Sequence, residues 1–312
     1  MRGYELSSQR PSIRQLECAV AVADALHFGR AARACAITQP ALSAQIQAIE
    51  ELLGLRLFER GRRGVIVTTA GAPVIEQARA ALAGLDRLVE SAASQAEPLT
   101  GTLRLGVIPT VAPYLLPPLL PAVRRAWPKL RLVLREEQTA RLVEQLALGA
   151  LDLLLLALPV ERAGLEELAL LRDPFVFVAP AAHPLARGRG PIAESALADQ
   201  EILLLEDGHC LRAQALDVCR RGGAEAPGRI QATSLTTLVQ MVANGLGVTL
   251  LPERALAVEL RADTCLVARS FKRPAPSRTL GLAWRPGAAR AGEYRLLGQT
   301  LAAALGGSKR RA

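Results

Sequence analysis

Long apolar runs are missing from this 312-residue chain: no window reaches 18 uncharged apolar residues, so no transmembrane helix is expected. The first ten residues, Met1 to Arg10, are polar and hold no apolar signal core. The expected location is the cytoplasm, with no membrane partner. Aromatics make up only 3% of the residues, so Ala, Leu and Val must carry the burial. Lysine is nearly absent, with only Lys129, Lys272 and Lys309, and the net charge of +9 comes almost wholly from Arg. Cysteine is sparse as well. Five cysteines in a chain expected to stay in a reducing compartment do not make a disulfide framework, and any pair that does oxidise becomes a candidate switch.

Half of the chain is apolar, which is ample for two or three folding units. A positive balance favours a polyanion as partner, yet residues 1–71 hold nine Arg against six acids, a surplus of only +3. Charge alone does not identify a nucleic-acid binder. Apolar spacing predicts a helix over Ile13–Leu26 and a short one over Phe28–Ala34, then a turn at Cys35-Ala36-Ile37. Thr38 is placed to cap the next helix, and Pro40 fits its first turn. Leu42, Ile46, Ile49 and Leu53 form its apolar stripe, with Gln39, Ser43, Gln45 and Gln47 mostly off it. A basic hairpin follows, Arg60-Gly61-Arg62-Arg63-Gly64 running into Val65–Thr68. Thr69 is placed to cap a long helix reaching about Ala96, with a seam of Ile75, Ala78, Leu82, Leu85, Val89 and Ala92.

Glu97-Pro98-Leu99-Thr100-Gly101 marks a boundary, after which strands and helices alternate in a βαβ pattern with a largely parallel sheet. Strands are expected at 102–107, 130–135, 153–158, 175–179, 248–251 and 280–284. Helices are expected within 111–127, 140–149, 234–244 and 293–305. The expected plan is a winged helix-turn-helix over 1–71, a linker helix over 72–97 and a two-lobed α/β domain over 98–306. Lobe I takes about 101–161 and 266–306, lobe II about 162–265, and 307–312 form a disordered tail.

Two short helices around a tight turn, the second with a polar face, follow the logic of major-groove reading. Thr38, Gln39, Pro40, Ser43 and Gln45 are the candidate contacts on the helix, and Arg60, Arg62 and Arg63 on the hairpin are placed for phosphates or the minor groove. A small helical subdomain with a merely solvated face fits the same pattern.

Cys210 and Cys219 bracket a run of helix formers with Leu211, Ala215 and Val218 on one face. On an intact helix their Cα atoms lie about 13–14 Å apart, whereas a disulfide needs roughly 4.4–6.8 Å. Such a pair can join only if the helix unwinds. His209 and Arg212 could supply positive charge to a thiolate. Buried small hydrophobes and a metal site using Asp207, His209 and Cys210 remain open readings; no second compact ligand pair stands nearby, so no metal and no cofactor is expected.

Taken as runs in fixed order, Arg14-Gln15-Leu16, His27-Phe28-Gly29-Arg30-Ala31-Ala32, Thr38-Gln39-Pro40-Ala41-Leu42-Ser43, Leu53–Arg60 and Thr68-Thr69-Ala70-Gly71 resemble the LysR-type regulators. That resemblance implies a winged helix-turn-helix, a linker-helix dimer and a two-lobed effector domain like the periplasmic binding proteins, in a homodimer or homotetramer on double-stranded promoter DNA. Gly106–Val111, Pro113–Pro117, Glu137-Gln138-Thr139, Leu205–Cys219, Ala232–Leu235 and Arg278–Leu282 are similar to one branch of it, the OxyR hydrogen-peroxide sensors. By that resemblance Cys210 is the peroxidatic and Cys219 the resolving thiol, and Thr110, Thr139, His209 and Arg278 line the peroxide pocket. It also implies RNA polymerase as a partner and a glutaredoxin- or thioredoxin-type reductant. Cys18, Cys35 and Cys265 read as structural. Gly29 stands where that branch commonly has Arg, and only a short tail follows the last helix, which weakens the case for a tetramer. Three other readings compete. A LysR-type regulator binding a small organic effector leaves the thiols incidental. A thiol peroxidase would have no use for the reading segment, so an enzyme is not expected. An exported solute-binding protein would need a signal peptide.

Overall fold

The computed structural model describes residues 10–61, 64–93, 97–160, 164–224, 231–260 and 265–307. The chain divides into two compact units, residues 1–93 with 148–150, and residues 94–147 with 151–312.

In the first unit α1 (Ile13–Ala25), α2 (Phe28–Ala34) and α3 (Gln39–Leu53) precede a hairpin of β1 (Phe58–Gly61) and β2 (Gly64–Val67), then α4 (Gly71–Ala93). Local chemistry sets each boundary. Ser12 and Gln15 form a capping box at the start of α1. His27 Nδ1 accepts the N–H groups of Gly29 and Arg30, which starts α2. Thr38 accepts from Ala41 N, and Gly54 in the left-handed region ends α3. Cys18, Val22, Ala31, Leu42, Ile46, Ile49, Leu57 and Ile75 make the core. Leu53, expected on the stripe of α3, is exposed instead. The Glu50 carboxylate accepts from Leu57 N and Phe58 N, tying the hairpin to α3. Thr68, not Thr69, caps α4, because its hydroxyl accepts Gly71 N at 2.8 Å. Of the expected seam, Ile75 and Ala78 are buried while Leu85 is exposed; 94–96 and the side chains of Val89 and Ala92 lie outside what is described.

In the second unit come β3 (Gly101–Val107), α5 (Ala112–Ala126), β4 (Leu130–Glu136), α6 (Thr139–Leu148), β5 (Leu153–Leu158) and β6 (Glu166–Pro180). After them follow β7 (Leu204–Leu205), α7 (Cys210–Arg221), β8 (Gln231–Ala232), α8 (Leu235–Ala243), β9 (Thr249–Pro252), α9 (Leu256–Glu259), β10 (Leu266–Ser270), β11 (Ser277–Trp284) and α10 (Ala291–Gly307). Helix α5 survives Pro117, Pro118 and Pro121 because Leu115, Leu119 and Val123 bury one face while the prolines point to water.

The main sheet has the order β10-β6-β11-β5-β3-β4, with β9 also on β6. Only β3, β4 and β5 are parallel; β11, β10 and β9 pair antiparallel. The largely parallel sheet expected from the alternation is therefore a mixed one. The cause is β6, a single strand of 15 residues. Its first half pairs with β11 and its second half with β9 and β10, so it belongs to both lobes. The sequence reading places no strand over its first half, Glu166 to Arg172, because the charges there mask the alternation.

Two separate cores result. One gathers β3, β5, β11, α5, α6 and α10 around the continuous apolar strand β5 and Trp284. The other gathers Phe175–Ala179, Ile202–Leu205, α7, α8 and β9. Leu266, Ala268 and Phe271 pack in this second core, so the chain returns to the first lobe near Ser277 rather than at 266. Gly307, expected in a disordered tail, completes α10; 308–312 lie outside the described residues. No helix among the described residues is long and apolar enough to cross a membrane.

Candidate functional site

Two sites were expected, and each falls within one unit. On the reading head, Thr38, Gln39 and Pro40 are exposed at the start of α3, and Ser43 and Gln45 are half-buried along it. At 100° per residue Gln39, Ser43 and Gln47 share one flank, while Gln45 lies roughly 160° from Ser43 on the other. Arg60 pairs with Val65 in the hairpin backbone; its side chain, and Arg62 and Arg63 altogether, lie outside what is described.

The thiol site lies where the two lobes of the second unit meet. Cys210 opens α7, so the free N–H groups of the first turn point at its surroundings. A small pocket is lined by Ile108, Pro109, Thr110, Gln138, Thr139, Gly208, His209 and Cys210. A wider cavity of about 520 Å³ adjoins it, sharing Thr139, Gly208, His209 and Cys210 and adding Ala140, Val143, Pro159, Val160 and Gln214 among others. Three of the four expected pocket residues, Thr110, Thr139 and His209, are thus brought to Cys210.

Arg278 stands behind that lining. It is 3% exposed and carries its guanidinium on three partners: Asp173 Oδ2 at 3.0 Å, Thr110 Oγ1 at 3.1 Å and the Thr110 carbonyl at 2.9 Å. Asp173 is fully buried and sits on β6 where that strand passes between lobes. A buried guanidinium without such a carboxylate would be strongly destabilising, so this pair holds the positive charge in place. Arg212, the other expected source of charge, is turned away: it bonds the Leu205 carbonyl and pairs with Asp207 at 2.9 Å.

Burial pushes the Cys210 thiol above its ordinary value, and Arg278, the Thr139 hydroxyl and the backbone N–H groups of α7 pull the other way. Thr139 Oγ1 is buried with no hydrogen-bond partner and shares the pocket lining with Cys210, so the nascent thiolate is the acceptor within its reach. Cys219 is 4% exposed, and burial pushes its thiol up to about 11.

The two thiols belong to different cores. Cys210 packs against the core of the first lobe, whereas Cys219 lies inside that of the second, beside Leu211, Ala215 and Val218. Helix α7 is unbroken between them, so nine residues at 1.5 Å separate their Cα atoms by about 13–14 Å.

Sequence reasoning missed Gln138 and Asp173. Gln138 Nε2 lies 3.4 Å from His209 Nε2. Gly208 has φ +95°, a conformation that favours glycine, and a Cβ there would come within 2.6 Å of Gln138 Oε1 and push that side chain from its place beside His209. Asp173 could have been noticed as a lone acid entering the apolar run Phe175–Ala179.

Residues 13–72 match the bacterial regulatory helix-turn-helix proteins of the lysR family, and residues 96–306 match the LysR substrate binding domain. The chain belongs to the LysR family. Within that family it is 49% identical, over 95% of its length and 94% of the relative's, to a probable hydrogen peroxide-inducible genes activator from Streptomyces viridosporus. Among solved structures it is similar to a mutant OxyR of Corynebacterium glutamicum with H2O2 bound, at 38% identity and TM-score 0.65, covering 96% of this chain and 95% of that one. A full-length OxyR variant from Pseudomonas aeruginosa gives 33% identity and TM-score 0.72, covering 94% and 98%. This LysR chain is thus a member of the OxyR branch along nearly its whole length.

Proposed function

We propose that the chain is a hydrogen-peroxide-sensing transcription regulator, not an enzyme, which binds double-stranded promoter DNA and is switched by a Cys210–Cys219 disulfide. The observation that carries the reading is that one unbroken helix seats the two thiols in two different cores. Peroxide enters between Thr110, Thr139 and His209. The Cys210 thiolate, favoured by the Arg278 charge and the Thr139 hydroxyl, attacks one peroxide oxygen; the S–O bond forms as the O–O bond breaks. The departing hydroxide takes a proton and leaves as water. The Cys219 sulfur then displaces the sulfenic oxygen as a second water, and the disulfide closes.

Closure requires α7 to unwind and at least one thiol to leave its core. Leu211, Ala215 and Val218 must then find new neighbours, which makes the segment a two-state element rather than a hinge of graded opening. In the assembled homodimer or homotetramer this repacking changes the spacing of the reading heads, so reduced and oxidised forms engage DNA and RNA polymerase differently. A glutaredoxin- or thioredoxin-type reductant in the cytoplasm resets the pair.

The test is a brief, substoichiometric peroxide pulse followed by peptide mass spectrometry, with footprints of both forms on one promoter. A 210–219 crosslink with altered footprints is expected; identical footprints and identical transcription would remove the mechanism. The wider cavity favours a second reading, in which a small organic effector binds between the lobes. Under it, peroxide would cause no fast loss of two thiols.

A further inference from the structure

Outside the sensing site the described residues hold a second pair of thiols that the switch does not use. Cys18 lies in the middle of α1 and Cys35 ends α2, and the two are packed in the same core of the reading head. Arg14, one turn before Cys18 on α1, reaches the Cys35 carbonyl, so the two cysteines are neighbours across the α1–α2 contact. Cys18 is 0% exposed and Cys35 8%, so Cys35 marks the edge of the pair nearer to water. The groups around them are few. Arg14 donates to the Cys35 carbonyl and bonds Glu17 at 3.0 Å, both on the α1 side.

The position of Cys35 matters more than its burial. Its N–H closes α2 onto Ala31 O at 2.9 Å. The next residue, Ala36, has φ +52°, in the left-handed region where a non-glycine residue is strained. Two residues later Thr38 caps α3, the helix that carries Gln39, Pro40 and Ser43. Any pull on Cys35 is therefore delivered to the turn that aims α3.

We propose that Cys18 and Cys35 are a second redox site, placed in the reading head itself, which closes to a disulfide at high peroxide load and weakens DNA binding. The Cys35 sulfur attacks peroxide, forming an S–O bond as the O–O bond breaks, and one water leaves. The Cys18 sulfur then displaces that oxygen; the S–S bond forms, the S–O bond breaks and a second water leaves. Two thiols are oxidised and one peroxide is reduced to two waters. The sulfurs must close to about 2.05 Å, and a close-packed core passes that displacement to the turn. Cys35 lies buried in the core while Cys210 lines a pocket, so peroxide reaches Cys35 less easily; burial also pushes the resolving Cys18 thiol up to about 11, and the site answers later than the Cys210 pair.

The inference rests on the proposed function only in taking peroxide as the oxidant and DNA affinity as the readout. The test is made on the full chain carrying Cys210→Ser and Cys219→Ser, beside the unaltered chain. Both are titrated with hydrogen peroxide, mapped by peptide mass spectrometry, and measured for affinity to a duplex selected from a random pool by the reduced protein. In the double variant a Cys18–Cys35 crosslink is expected at doses above those that join Cys210 to Cys219 in the unaltered chain. Affinity should fall roughly tenfold or more as specific reading is lost, and dithiothreitol should restore it. Adding Cys35→Ala should abolish both effects. The inference fails if thiol oxidation in the double variant yields no 18–35 peptide, if it joins chains through the exposed Cys265 instead, or if the crosslink forms with affinity unchanged. Absence of the 210–219 crosslink in the unaltered chain would instead count against the proposed function.

Discussion

The two thiol pairs of this chain are opposites. Cys18 and Cys35 are neighbours sealed in one core, whereas Cys210 and Cys219 are separated along a helix and rooted in two cores. A neighbouring pair in one core closes with a small movement, felt only at the turn beside it, and its chemistry is limited by access and thiolate. A separated pair with one member in a pocket is open to an oxidant at that member, and joining the two obliges the fold to move. The contrast sets the scale of each response: the distance between the sulfurs decides whether oxidation repacks a whole helix or only pulls on one turn.

The largest expected effect removes one side of the contrast. Cys210→Ser should abolish the transcriptional response to peroxide while promoter binding persists, as reporter assays and gel shifts would check. Next is the support behind Cys210. Asp173→Ala leaves Arg278 buried and unpaired, and should cost about 3–5 kcal/mol of stability of the second unit, seen as a lowered melting transition. Arg278 and Asp173 are 3% and 0% exposed, so water cannot take the carboxylate's place. Thr139→Val removes a hydroxyl that favours the thiolate, and should slow the first oxidation of Cys210 roughly threefold to tenfold, read in stopped-flow peroxide kinetics. An unchanged rate would remove Thr139 from the site.

The smallest effect is on pH dependence. Cys18 and Cys219 hold their protons more tightly folded than unfolded, with values of about 11 against an ordinary 9.0. As pH rises through 9.0 the unfolded chain releases these protons first, so stability should decline from there towards about 11. Denaturant melts of the reduced protein would show it, and Cys18→Ala or Cys219→Ala should flatten the decline. For the same reason iodoacetamide near neutral pH should label the exposed Cys265 first and Cys18 and Cys219 last.

Much of the site was legible from local signals. The buried face Leu211, Ala215 and Val218 follows from helical spacing, and with it the separation of Cys210 from Cys219. The cap at Thr38 and Pro40 in the first turn of α3 follow from backbone chemistry at that turn. What local reading missed depends on partners far away in sequence. Asp173 matters because Arg278 lies across from it, 105 residues on. Arg212 looked like a source of charge until Asp207 and the Leu205 carbonyl were seen to hold it. Cys18 and Cys35 read as structural because their spacing along the chain says nothing of their contact between two helices.

The sequence by itself determined the main helices, the Thr38 cap, the reading turn and the need for α7 to break before Cys210 and Cys219 can join, because periodicity and hydrogen-bond chemistry act over a few residues. Only the tertiary structure decided that β6 serves both lobes, that Arg278 is held at the thiol by Asp173 and Thr110, and that each thiol of the switch sits in its own core. Those facts are set by long-range strand pairing and by which apolar faces meet, and no local pattern contains them.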